Sequence, residues 1–255
     1  MNAVLALTLN GFRESRRNRV TLVVFAFAFI LIVAAMLSLE LTVSTFDRVI
    51  TDVGLGVMSI LTAGLTIFLG SGLIPREIER RTIFMIIAKP VSRSAFVVGR
   101  FFGNVLTVWA ITIAMGLLFL VELFLTKSAI DQSHFVALWG LLLEILLLSA
   151  VCFVFACASS QFVTALSTVG LYFIGHMLSD LLRYAEKSPS ELVKGVGTVL
   201  FYVLPNLERL DFKARATYFQ VTSFSELASA TVYACGYSMI ALAIAAAIFS
   251  KRDFR

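Results

Sequence analysis

Six long apolar runs divide the chain, and short polar stretches separate them. The runs cover residues 20–39, 53–74, 102–125, 135–158, 162–182 and 227–249. A helix needs about 20 consecutive, mostly apolar residues to cross the hydrocarbon core of a bilayer. The pattern therefore predicts an all-α fold, a polytopic membrane protein with six transmembrane helices and a single domain over residues 1–255.

Composition supports a membrane protein. Hydrophobic residues make up 59% of the 255 positions and charged residues only 15%, whereas soluble domains carry about 25% charged residues. The net charge of +5 comes from basic residues that flank the spans, so no nucleic-acid partner is expected. Cys152, Cys157 and Cys235 all lie inside apolar runs, which argues against a disulfide framework or a thiolate metal site.

The distribution of lysine and arginine predicts that both termini are cytoplasmic. With the N-terminus inside, the inner segments hold 13 of the 21 basic residues, as the positive-inside rule requires. Residues 1–19 are basic and apolar at helical spacing. We interpret them as an amphipathic helix in the membrane surface, and the alternative is a basic tail that only sets orientation.

The segment 183–225 differs from the other connections because it is long and mixed. Its apolar stretch at 192–204 contains Gly195 and Gly197, precedes Pro205, and is too short to span. Irregular backbone at membrane depth is tolerated only where protein or water covers it. We interpret the segment as helices that enter the outer leaflet and return before the last span. An ordinary amphipathic external loop is the alternative.

The segment 75–101, between the second and third runs, holds the densest group of charges. Pro75 suits the first turn of a short helix, in which Glu77 and Arg81 could pair at i, i+4 spacing. Pro90 would end that helix, and Ser92 would cap the next one. The residues expected to contact a partner are Arg76, Glu77, Glu79, Arg80, Arg81, Thr82, Pro90, Ser92 and Arg93. A basic loop without a partner is the alternative.

These residues carry a family resemblance. The pattern Glu77, Arg81-Thr82, Lys89-Pro90-Val91-Ser92-Arg93, Phe96, Gly99-Arg100 and Gly103 resembles the ABC type-2 exporter permeases, closest to the branch of multicopper-enzyme maturation permeases. The six spans, the N-terminal helix and the re-entrant segment resemble that family's layout as well. Two positions depart from its pattern: glycine is commoner than Arg81 before the threonine, and lysine is usual at Arg100.

The resemblance implies a homodimeric or pseudo-dimeric permease of the cell inner (cytoplasmic) membrane, driven by two copies of a separate cytoplasmic ATP-binding subunit. The helix around residues 76–82 would be the coupling helix that docks in a groove of that subunit. ATP and Mg²⁺ would belong to the partner. This chain has no GxxxxGK[ST] motif for binding phosphate, and we expect it to bind no cofactor.

Ionisable residues inside apolar runs are candidates for a pathway because they are costly in lipid. Glu144 is the acid that lies deepest within a predicted span. It has either a role in the pathway or its coupling, or an interhelical hydrogen bond that only fixes helix packing. His176 and Asp180 are four residues apart and could form a pair on one helix face, with a structural or a pathway role. A zinc or copper site is not expected, since His134 and His176 are the only histidines and HExxH or CxxC spacing is absent.

Three classes of function follow from this pattern. The leading hypothesis is an export permease that works by alternating access. A motor-independent secondary transporter or channel would need several buried ionisable side chains, and Glu144 is almost the only one. An intramembrane enzyme would need a nucleophile–base pair or metal ligands at membrane depth, and no convincing set can be assembled from the sequence.

Overall fold

A computed structural model describes residue 8 and residues 21–37, 43–79 and 92–251, and contains no strand in these ranges. Its α-helices are α1 (Thr21–Leu37), α2 (Val43–Glu79), α3 (Arg93–Leu125), α4 (Gln132–Ala158), α5 (Gln161–Lys187), α6 (Glu191–Val203), α7 (Lys213–Thr217) and α8 (Phe224–Lys251). A 3₁₀ helix, Glu208–Leu210, precedes α7. The described part is all-helical, as predicted.

Five of these helices are long and apolar enough to cross a membrane, namely α2, α3, α4, α5 and α8. Each contains one of the predicted spans from 53–74 onward. The predicted first span, 20–39, corresponds to α1, which is apolar throughout. The part of α1 that the structure describes has 17 residues, fewer than the roughly 20 that a span needs. The structure therefore supports five of the six predicted spans by length and composition.

The second long helix begins earlier than its apolar run. Asp47 and Asp52, which precede the predicted second span, are both within α2. This first part of α2 is amphipathic, and Ile50 and Leu55 on one side are completely buried in the core. A search for continuous apolar residues finds only the part of a helix that is apolar all round, so it misses an amphipathic turn of the same helix.

Pro75 also lies inside α2 and does not begin a new helix, contrary to the prediction. A proline in a helix interior removes one backbone hydrogen bond and costs about 3 kcal/mol. Packing on both sides of it offsets this cost, because Ile74 is completely buried and Ile78 packs against the same cluster, which includes Phe101 and Phe153. Tertiary contacts thus stabilise the helical conformation on both sides of the proline.

Helix α4 lies at the centre of the bundle, in contact with α2, α3, α5 and α8. Its sequence is apolar on every side, which is typical of a buried helix, and Leu147, Cys152 and Phe153 are completely buried. The helix begins at a capping box, in which Asp131 accepts a hydrogen bond from the Ser133 N–H at 3.4 Å. Most side chains of α4 therefore face the interior of the molecule, although Phe135 and Trp139 are exposed.

The connection between α5 and α8 packs against the long helices. Helix α6 contacts α5, and α7 contacts α2 and α4. The Leu207 N–H donates to the Gly175 carbonyl at 3.0 Å. A Cβ atom added at Gly140 would lie 2.4 Å from the Leu210 carbonyl oxygen. Glycines on α4 and α5 thus allow the backbone near residues 205–212 to approach both helices closely.

Candidate functional site

The structure describes only the two flanks of the predicted coupling segment. Arg80, Arg81, Thr82 and Pro90 lie outside the described residues, as do residues 1–19 of the predicted interfacial helix except Thr8. The backbone of Glu79 is the end of α2. The side chains of Arg76, Glu77, Ser92 and Arg93 can be placed.

Glu77 on α2 forms an ion pair with Arg100 on α3. Both side chains are largely buried, with 14% and 11% of their surface exposed, so the pair joins the two flanks of the segment. The predicted pair of Glu77 with Arg81 stays a prediction, because Arg81 lies outside the described residues. Ser92 caps α3 as predicted, since its Oγ accepts a hydrogen bond from the Ala95 N–H at 3.2 Å.

Two further contacts gather other parts of the chain at this end. Arg93 at the start of α3 donates to the Ser250 carbonyl near the end of α8, at 3.0 Å. The Thr8 hydroxyl donates to the Gly99 carbonyl at 3.3 Å. The end of α2, the start of α3 and the end of α8 are therefore joined to one another by these contacts.

Arg76 is directed away from this end. Its guanidinium folds back along α2 over Gly72, where an added Cβ would lie 2.8 Å from Cζ. Its Nε donates to the Gln161 Oε1 atom of α5 at 2.9 Å, and its Cζ is 6.0 Å from the centre of the Phe68 ring. Arg76 thus joins α2 to α5, which the sequence did not predict.

A second polar group lies among the long helices, centred on Glu144 of α4. This residue is 3% exposed, and its Oε1 atom lies 3.5 Å from the His176 Nε2 atom of α5. Within the described ranges neither carboxylate oxygen has a hydrogen-bond partner. A buried carboxylate without hydrogen bonds is costly, and in a membrane protein such a residue is a candidate for function.

His176 is oriented toward Glu144 by its own helix. Its Nδ1 atom lies 3.0 Å from the Tyr172 carbonyl oxygen, and a carbonyl only accepts, so Nδ1 carries a proton and Nε2 faces the acid. The predicted pairing of His176 with Asp180 is wrong. Asp180 instead pairs with Arg183 at 3.5 Å, and its side chain is 63% exposed. The partner of His176 is therefore the buried Glu144 on α4 and not the exposed Asp180 on α5.

Lys213 on α7 brings a positive charge to the same group. Its Nζ atom donates to the Ser59 hydroxyl of α2 at 2.9 Å and lies 3.2 Å from the Asp211 Oδ2 atom. Burial lowers the pKa of Lys213, but the negative charges of Glu144 and Asp211 raise it more, so its pKa is above the ordinary value. Lys213 therefore stays charged beside Glu144.

The sequence did not identify Lys213, Asp211 or Ser59 as members of this group, which we call the buried ionic cluster (Ser59, Glu144, Tyr172, His176, Asp211 and Lys213). The predicted orientation puts the basic residues of 183–225 on the outer side. The interpretation of that segment as re-entrant implies that part of it lies among the membrane helices, but it does not identify which side chains do so. In the part of the chain that the structure describes, no three His, Cys, Asp or Glu residues are grouped as a metal site requires.

A comparison with curated proteins finds no match. The model of one protein family, described as ABC-2 family transporter protein, matches residues 5–254, which is almost the whole chain. Together with five helices able to cross a membrane, this match establishes a multi-pass membrane protein. The chain belongs to the ABC-2 transporter family, as the membrane-embedded permease subunit of an ABC transporter.

Proposed function

We propose that this permease exports a substrate across the cell inner membrane by alternating access, driven by two copies of a separate cytoplasmic ATP-binding subunit. The chain works as a homodimer with both termini in the cytoplasm. Helix α1 is the first of six spans, residues 1–19 lie in the membrane surface, and 183–225 re-enters from the outer side. The partner subunit holds ATP and Mg²⁺ and docks on residues 75–101.

The contacts that join α2, α3 and α8 at the two described flanks of the 75–101 segment are the observation that carries this proposal. The ion pair of Glu77 with Arg100 joins α2 to α3, and the hydrogen bond from Arg93 to the Ser250 carbonyl joins α3 to α8. A partner that moves the intervening segment would therefore move three long helices together. Alternating access requires such a coupled, two-state movement.

The buried ionic cluster has a place in the same proposal. Glu144 and His176 face each other across α4 and α5, so a movement between these helices would separate them. We assign both residues to the pathway or to its coupling, because charged groups inside a membrane protein mark such regions. Asp180, on the exposed side of α5, would lie near the outer opening.

The docking proposal is tested by reversing a charge within the segment. Arg81→Glu is expected to remove the ATP-binding subunit during co-purification and to abolish substrate-dependent ATP hydrolysis, because the reversed charge opposes docking. Arg183→Glu changes an exposed arginine of α5 and should leave both unchanged. Glu77 is unsuitable for this test, since its contact with Arg100 makes it part of the fold. Retention of the subunit by Arg81→Glu would show that the segment is not the docking site.

A motor-independent secondary transporter is the second candidate, and one observation favours it. The sequence offered Glu144 almost alone, whereas the structure groups it with His176, Asp211 and Lys213. Ion-coupled transporters use buried ionisable groups of this kind. Purified chain in liposomes discriminates the two. Transport driven by an ion gradient without nucleotide supports the second candidate, and transport only with the ATPase and ATP supports the first.

A further inference from the structure

A groove runs between α2 and α5. Its volume is about 590 Å³, within the range of about 300–1,000 Å³ found for ligand sites. Ile67 and Phe68 of α2 and Ala165 and Val169 of α5 form apolar walls. The groove is therefore suited to an apolar chain.

One end of the groove is polar. The contacts of Ser59 with Tyr172 and of Arg76 with Gln161 show that α2 and α5 run antiparallel. Ser71 and Gln161, which also line the groove, therefore lie at the same end. This is the end nearest to the 75–101 segment.

Arg76 places a positive charge beside this polar end. Its two contacts, Gln161 and Phe68, both line the groove. Among the described residues these contacts are an amide and an aromatic ring, with no carboxylate. An arginine near the end of a span normally extends its charge toward water, whereas this one folds back over Gly72 beside the polar end of the groove.

Gly72 allows this orientation. Side chains of a helix lean toward its N-terminus, so the side chain of Arg76 lies over residue 72, where an added Cβ would be 2.8 Å from its Cζ. The side chain of Arg76 is half-buried, and a half-buried charge with no opposite charge beside it is costly. An anion that occupies the groove would remove this cost.

We propose that the groove binds an anionic membrane lipid, with an acyl chain between α2 and α5 and its phosphate on Arg76. Basic pockets between transmembrane helices bind anionic head groups, and the arginine fork matches phosphate oxygens. Apolar walls alone would equally accept a helix of a second copy, but such a helix would leave the charge of Arg76 uncompensated. The proposal does not rest on export, because the lipid binds with or without an ATPase.

The test compares phosphatidylglycerol with phosphatidylcholine as added lipids. Purified full-length chain in a neutral detergent is titrated with each, and bound lipid is counted by native mass spectrometry. Wild type should prefer phosphatidylglycerol. Arg76→Gln should bind phosphatidylglycerol about tenfold more weakly than wild type does, because a charge-assisted hydrogen bond is lost. Arg76→Lys keeps the charge and should keep most of the preference. Arg183→Gln, an exposed arginine farther along α5, should behave as wild type.

A second variant tests the groove itself. Gly64 lines the groove, and nothing lies within 4 Å of a Cβ added there, so the ring of Gly64→Phe is expected to occupy the groove. This variant should weaken the binding of both lipids. If Arg76→Gln does not fold, lipid binding by Gly64→Phe tests whether the groove is the lipid site. An unchanged lipid preference in Arg76→Gln overturns the proposal. Loss of self-association in Gly64→Phe with lipid binding unchanged also overturns it, and assigns the groove to a second copy. Neither result bears on ATPase docking at residue 81.

Discussion

The ammonium group of Lys213 and the carboxylate of Glu144 belong to one buried cluster, although 69 positions separate them in the chain. Buried ion pairs add little net stability, because removing two charges from water costs about as much as their attraction returns. Breaking such a pair is a different matter, since the remaining charge then has no compensation. The acids around Lys213 should therefore be sensitive to its replacement.

Lys213→Met should destabilise the protein by about 3 kcal/mol, because the buried Glu144 and the half-buried Asp211 would stay near each other without a cation. Thermal unfolding in nanodiscs measures the effect. Lys194→Met is the matched control, since Lys194 pairs with Glu191 at the surface and exposed pairs contribute less than about 1 kcal/mol. Equal effects of the two changes would show that Lys213 is not part of a charge-compensated cluster.

At the scale of elements, the connection from 204 to 217 depends on glycines in the helices that it touches. A Cβ at Gly175 would lie 2.9 Å from the Pro205 carbonyl oxygen, and one at Gly140 would be 2.4 Å from that of Leu210. These atoms belong to the backbone, which cannot rotate away as a flexible side chain can. The position of Lys213, which follows on α7, is determined by the same contacts.

Gly140→Ala should therefore push the connection away from α4 and destabilise the protein by about 1–3 kcal/mol, the usual cost of overpacking. Gly170→Ala on α5 is the control, because nothing lies within 4 Å of its added Cβ. Alanine is a better helix former than glycine, so the control should be neutral or slightly stabilising. Thermal unfolding compares the two, and similar midpoints for both variants would mean that the close contact at residue 140 is not made.

At the scale of the whole molecule, contacts distant in sequence meet at one end. Thr8 contacts Gly99, and Arg93 contacts Ser250, so residue 8, the start of α3 and the end of α8 lie on the same side. The hairpin of α5 and α6 extends from the other end of α5. The proposed orientation places the first group in the cytoplasm and the hairpin outside.

Labelling with a membrane-impermeant thiol reagent tests this orientation. With the three native cysteines replaced by serine, Glu186→Cys should react in intact cells and Ser94→Cys only after permeabilisation. Both positions are exposed in the structure, so a failure to react reflects the membrane and not burial. The reverse pattern would place the 75–101 segment outside and exclude docking of a cytoplasmic ATPase there.

The sequence by itself determined the helices, because the hydrophobic runs and the cap at Ser92 depend only on neighbouring residues. Five runs became long helices whose ends agree with the predicted ones within five residues, except that α2 and α3 begin nine or ten residues earlier. The family resemblance carried by the loop motif agrees with the family match. The predictions from the sequence were wrong where the local preference of a residue is opposed by packing in the folded chain. The local pattern at Pro75 predicts a helix start, yet Ile74 and Ile78 pack in one core cluster and α2 continues beyond the proline.

Only the tertiary structure decided which polar groups meet. Spacing along α5 suggested Asp180 as the partner of His176, but the choice depended on which side of α5 faces α4 and brings Glu144 within 3.5 Å. Lys213 and Arg76 gave no local sign of turning inward, because that orientation is set by Ser59 and by Gly72 in the space around them. Periodicity specifies a helix and its apolar side, whereas the partners of a buried charge depend on how distant helices pack.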